Sequence, residues 1–292
     1  MGSMRAIAKG AGALRPYINA VRGADLDTQD GGVIVVLDGD PQATARLRAI
    51  LGVDAEQPLN DGNSIVVHAT VEGHDPALAA AVLAGAKRDG RRVLAIIVGS
   101  DQARQLTERA VLDARPLEPS DLVFVTSLDD PAPVLAAVAR SLGNEAIAAG
   151  RRHPALRDAV AEFVISRAAR QAGTIGVAAP IPGADMPAMT LIQVRMVAQL
   201  AALHGRPLDV RRGLEVVGVI AGAFGWRAIA RRAALVAPVS RFVVRGGVAY
   251  SATRAVGEAA RTYFSAAGAK ADQPLDGLQA TLKRALPSRG RG

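Results

Sequence analysis

The residues best suited to chemistry stand at two points where an apolar run of strand length gives way to a helical pattern. The first is the turn DGDPQATA at 38–45. A carboxylate at the end of a parallel strand can hold a ribose hydroxyl or a metal ion, because ligands of open α/β sheets sit beyond the carboxyl ends of the strands. Asp38 and Gly39 are therefore candidate cofactor-binding residues. The second point is Asp101, at the end of VGSD at 98–101, which suits either recognition of a base or the N-cap of the next helix, where Asp is strongly preferred. Phosphate chemistry asks for more. A loop of the form G-x-x-x-x-G-K-[ST] brings backbone N–H groups, a lysine and a magnesium-ligating hydroxyl to the phosphates. DGDPQATA has no lysine and no second glycine, and its Asp38 and Asp40 would repel a triphosphate.

The remaining chemistry-bearing residues form no set. The histidines at 68, 74, 153 and 204 lack metal-ligand spacing and read as surface or loop residues. No Ser/His/Asp constellation or nucleophile elbow is visible. The chain has no cysteine, which removes disulfide and thiolate chemistry and fits a cytoplasmic protein. Neither a metal nor a cofactor is expected, and the absent phosphate loop argues against an enzyme.

Four short runs must position these residues: VIVVL at 33–37, SIVVHAT at 64–70, RVLAIIV at 92–98 and LVFVT at 122–126. Each precedes a helical stretch, near 41–51, 75–89, 101–112 and 131–142. Apolar runs without polar alternation, interleaved with helices, predict a parallel sheet covered on both faces. Upstream, Leu14, Ile18 and Val21 have helical spacing, and DLDTQDGG at 25–32 is a polar loop.

The second half reads as helical. RRHPALRDAVAEFVISRAARQAG at 151–173 predicts one connecting helix with Leu156, Val160, Phe163 and Val164 on a face. PIPGADMPAMTLIQVRMVAQLAALHG at 180–205 then supplies a turn, an N-cap in Asp185, a helix from Met186 and a stop at Gly205. Its apolar stripe is Leu191, Val194, Val197, Leu200, Ala201 and Leu203. Gly218 and Gly222 stand four apart, as do Ala221 and Gly225, a spacing that lets helices approach closely. Arg227, Arg231, Arg232, Arg241 and Arg245 follow beside apolar residues, with Trp226 and Phe242 as interfacial anchors, a mixture that suits a membrane interface. The longest charge-free run in this half, 171–184, is shorter than the roughly 20 residues of a membrane span. A short helix with Leu275, Leu278, Leu282 and Leu286 and a basic tail, SRGRG, close the chain.

The pattern at 180–205, with GLEVVGVIAGAFGWRAIARRAAL at 213–235 and TRAVGEAARTYF at 253–264, resembles the helical family called domain of unknown function 697 over residues 155–265. That resemblance implies a preceding Era-like GTPase domain. GVIVVLDGDPQATARLRAILG is similar to its strand, turn and first helix, RRVLAIIVGSD to the strand before the guanine-reading motif, and DLVFVTS to the strand before the Ser-Ala motif. About a dozen residues separate the first helix from the second strand, too few for two further strands and the switch loops. The expected fold is thus α/β plus all-α: a reduced parallel-sheet, P-loop-GTPase-like domain at 31–150 after an N-terminal helix and loop at 1–30, a helical domain at 151–268, and a short helix and tail at 269–292.

Charge divides the chain as well. Residues 1–150 carry 14 basic and 19 acidic side chains, and 151–292 carry 21 and 8. A basic half points to an anionic partner. The expected function is a non-catalytic adaptor or regulator whose basic helical domain meets an anionic membrane surface, at the inner face of the membrane, or a partner GTPase or other protein. A homo-oligomer through the Gly218/Gly222 helix is a further expectation. The alternatives are a GTPase or ATPase with an atypical site, a small-molecule enzyme resting on Asp38, and a nucleic-acid binder, the last weakened by a content of only nine aromatic residues.

Overall fold

The computed structural model describes residues 35–53, 65–73, 75–178, 186–206 and 241–266. The described residues divide between Phe163 and Val164 into two compact units.

In the first unit, β1 (Val35–Gly39), β2 (Ile65–Val71), β3 (Arg92–Val98) and β4 (Leu122–Val125) form a parallel sheet in the order β1-β2-β3-β4. They alternate with α1 (Pro41–Leu51), α2 (Pro76–Arg88), α3 (Asp101–Asp113) and α4 (Ala132–Leu142). The apolar runs form strands because each side of the sheet has helices to bury it. Val66, Val93, Ala95, Ile97 and Leu122 pack with Ala80, Leu83 and Ala84 of α2 and Val111 of α3. The alternate strand residues Ile65, Val67, Ala69, Leu94 and Ile96 are also buried, on the opposite face. That face belongs to α1 and α4, which both meet the 3₁₀ turn Pro154–Leu156.

This placement fixes an unusual connection. All three crossovers step the same way across the sheet, yet α1 lies on one face and α2 and α3 on the other. The first crossover must therefore have the opposite hand to the next two.

The helix starts follow their sequence signals. Asp40 Oδ1 accepts from Ala43 N at 2.8 Å ahead of Pro41, and Asp75 Oδ1 accepts from Ala77 N at 2.9 Å ahead of Pro76. One expected helix is in fact two. α5 (Ala146–Arg152) ends at His153, whose extended backbone (φ −112°, ψ 97°) is what a residue before proline favours. The chain resumes as α6 (Arg157–Ala178), in which the division between the two units falls. The expected boundary at 150/151 lies within α5.

In the second unit, the part of α6 from Val164 onward is joined by α7 (Met186–Leu203) and α8 (Arg241–Ala266). Val194, Val197, Leu200, Ala201 and Leu203 of the expected α7 stripe are buried, together with Met196, while Leu191 is half-buried. α7 ends as its glycine predicts. Gly205 is left-handed (φ 71°), its N–H reaches Ala202 O at 2.9 Å, and Arg206 N–H reaches Ala201 O at 2.9 Å, the paired bonds of a Schellman motif. The 4–22 and 275–286 helices, Asp185 and the Gly218/Gly222 segment lie outside the described residues.

Candidate functional site

Ligands of a parallel sheet gather at the carboxyl ends of its strands, where helix N-termini offer free N–H groups to anions. Here the protein's own carboxylates hold those positions. The strand β1 runs two residues further than its apolar pattern, so Asp38 and Gly39 belong to the strand and Asp40 alone separates β1 from α1. No loop remains to wrap a phosphate. The Asp40 carboxylate sits on the first turn of α1, and Asp75 does the same for α2. At α3 the carboxylate comes from 28 residues away: Glu72 accepts from Ser100 N at 3.1 Å and from Ser100 Oγ at 2.9 Å. Asp130 accepts from Ala132 N at 3.0 Å at the start of α4.

The neighbouring Asp129 accepts from Ser127 Oγ at 2.6 Å and pairs with Arg46. The Ser127 hydroxyl and then the Arg46 charge hold its carboxyl below the ordinary carboxylate range. It is ionised at neutral pH, with the Arg46 guanidinium offsetting its charge.

Gly39 serves the sheet. At φ +110°, a Cβ there would stand 2.1 Å from Ala69 O, so only glycine lets β1 run this close to β2. Asp38 is paired in register with His68. Asp101 is the first residue of α3, and Arg104 N–H donates to Ser100 O at 3.0 Å, which puts Ser100 at the N-cap position. A cleft of about 230 Å³ opens between the ends of β2 and β3 and the first turns of α2 and α3, lined by Val71, Glu72, Pro76, Ile97, Leu106 and Thr107 among others. Among the described residues no group of three His, Asp or Glu side chains could hold a metal ion.

Two histidines differ from the surface reading. His68 and His153 are buried, at 8% and 4% exposure. Burial pushes the His153 imidazole below its ordinary pKa, with the nearby Arg152 charge acting the same way and a hydrogen bond to the Gly52 backbone opposing them. A strand or pre-proline position gives no sequence sign of which way the side chain faces.

In the helical unit, close helix contacts occur at glycines other than the expected pair. A Cβ on Gly246 of α8 would meet Val177 Cγ2 at 2.5 Å and Gly173 O at 3.0 Å. One on Gly257 would meet Ile165 Cγ1 at 2.7 Å and Met196 Sδ at 3.1 Å. Polar pairs accompany them: Gln193 Nε2 donates to Thr253 Oγ1 at 3.3 Å, and Arg254 donates to Ser166 Oγ at 3.2 Å. The described parts of this unit contain eight arginines and one carboxylate, Glu258. Arg241 opens α8 and Arg245 lies in its second turn. Trp226, Arg227, Arg231 and Arg232 are outside the described residues. No described helix is long and apolar enough to cross a membrane.

A family described as Domain of unknown function (DUF697) matches residues 146–291. No curated protein and no solved structure matches the chain. The matched region begins at α5, so it takes in the last elements of the sheet unit as well as the helical unit.

Proposed function

The chain belongs to the DUF697 family, and on that premise we propose that it is a non-catalytic, GTPase-like adaptor whose basic helical unit associates with an anionic membrane surface or a protein partner. The observation that carries the non-catalytic part is the single residue between β1 and α1. A phosphate-binding loop of the GTPase kind would lie there, and this chain has Asp40, with its carboxylate on the Ala43 N–H at the helix N-terminus where a phosphate would bind.

The change of face between α1 and the helices α2 and α3 that follow supports descent from a larger sheet. If α1 once led to strands on the far side of β1, that connection would have had the same hand as the two crossovers that follow. Deletion of those strands would leave α1 on its original face and join it directly to β2. The two strands missing from the Era-like pattern fall at this place in the chain. The excess of arginine in the helical unit supports the anionic partner, since each arginine near such a surface adds about 1 kcal/mol.

Titration of the purified chain with fluorescent GTP and ATP analogues in magnesium tests the first part, and the expected result is no saturable binding. Micromolar affinity abolished by Asp101→Ala would overturn it. Sedimentation with phosphatidylserine vesicles tests the second, with binding expected at low salt and loss at high salt. A chain that stays in the supernatant at both salt concentrations would leave only the protein partner.

A further inference from the structure

Helix α2 is apolar on every side up to its last two residues, Lys87 and Arg88. Its residues 76–86, PALAAAVLAGA, include no charged or polar side chain. A helix of that composition is normally enclosed. Here only one side is: Ala79, Ala80, Leu83 and Ala84 are buried, while Leu78 is 66% exposed and Val82 38%, with Ala77 and Ala81 beside them. On α3, which packs against α2, Leu106 is 61% exposed and lines the cleft together with Pro76. Among the described residues of the sheet unit, the large exposed hydrophobic side chains are these three. Nothing in the folding of the sheet asks for them, because leucine facing water contributes no burial. Leu78 and Val82 stand four residues apart on the exposed side of α2, and large apolar side chains left exposed on two packed helices mark a contact surface.

The rim says what the contact is with. Glu72, Asp75 and Asp101, all exposed, stand at the end of this face where α2 and α3 begin. Arg104, the basic residue nearest them on α3, lies over the Phe124 ring at 4.6 Å. An apolar strip with a carboxylate rim complements a helix that carries leucine-like anchors at i and i+3 or i+4 and lysine or arginine alongside. We propose that the α2–α3 face is the docking surface for a basic amphipathic helix of a partner protein. This gives the adaptor reading a second, distinct contact. It is also separable from that reading, since nucleotide binding would sink the non-catalytic assignment and leave this surface untouched.

The test is fluorescence anisotropy of a labelled Leu/Lys amphipathic helical peptide with the full chain, beside a Lys/Ser peptide of equal charge and length. The Leu/Lys peptide should bind at least tenfold tighter than the Lys/Ser peptide. Its affinity should fall at least tenfold in the Leu78→Ser/Leu106→Ser variant and severalfold in Asp101→Asn. Both leucines are exposed, so the double variant should keep its fold, which circular dichroism and melting verify. Equal binding of the two peptides, or undiminished binding to the double variant, would overturn the proposal. So would a parent chain that is dimeric by light scattering and becomes monomeric in that variant, because a second copy would then be the occupant.

Discussion

Replacing Gly257 with alanine sets two effects of opposite sign against each other. Alanine favours a helix over glycine by about 0.8 to 1 kcal/mol. The new Cβ, however, would stand 2.7 and 2.9 Å from Ile165 Cγ1 and Cγ2 and 3.1 Å from Met196 Sδ. Ordinary contact begins near 3.4 Å, so Ile165 must retreat by roughly 0.7 Å. It has nowhere to go. Its side chain is fully buried and branched at Cβ, and Met196 is only 1% exposed. Overpacking of this type costs about 1 to 3 kcal/mol. Gly247, ten residues earlier on α8, provides the control, since it is exposed and a Cβ there meets nothing within 4 Å. The helix gain is common to both variants, so their difference isolates the packing cost. Gly247→Ala should melt higher than the parent, and Gly257→Ala should melt below Gly247→Ala by several degrees, at about 2 to 8 °C per kcal/mol depending on the size of the cooperative unit. In an Ile165→Ala background, which removes both γ carbons, Gly257→Ala should lose its penalty. Urea unfolding of the four-membered cycle measures that coupling. A Gly257→Ala chain as stable as Gly247→Ala, or a cycle with no coupling, would refute the close contact.

Two further outcomes are expected. The folded state holds His153 with a depressed pKa, so below the unfolded value near 6.5 the unfolded chain binds more protons. The stability from its neutral form is present above that value and is lost as pH falls; comparing urea midpoints at about pH 7.5 and 5.5 should show a steeper fall for the parent than for His153→Gln. Gly39→Ala should cost about 3 kcal/mol or more, because Ala69 O is a backbone atom that cannot yield and φ is +110°; soluble expression with an unchanged midpoint would contradict this.

The candidate site shows where reading by residue type stops. In the sequence Asp40 reads as a charge that repels phosphate, and Asp75 carries no assigned role, although at both a capping residue, a proline and a helix follow one another. Glu72 reaching Ser100, and Arg46 reaching Asp129 from 83 residues away, were not legible, since only the parallel pairing of β2 with β3 and the packing of α1 bring them together. The Pro154 break was written in the chain, and the apolar periodicity on either side of it masked the signal. The glycine spacing at 218–222 drew attention to helix packing, but contacts at Gly173, Gly246 and Gly257 depend on which helices meet, which spacing within one helix does not encode.

By itself the sequence determined the elements. Runs without polar alternation became parallel strands, and local caps, prolines and Gly205 set helix ends, because these depend on interactions within a few residues. It also determined the lack of a phosphate-binding lysine. Only the tertiary structure decided the strand order, the burial of His68 and His153 and the exposure of Leu78 and Leu106. Each of these depends on which surface of an element meets another, and that choice is made by long-range packing after local propensity has been satisfied.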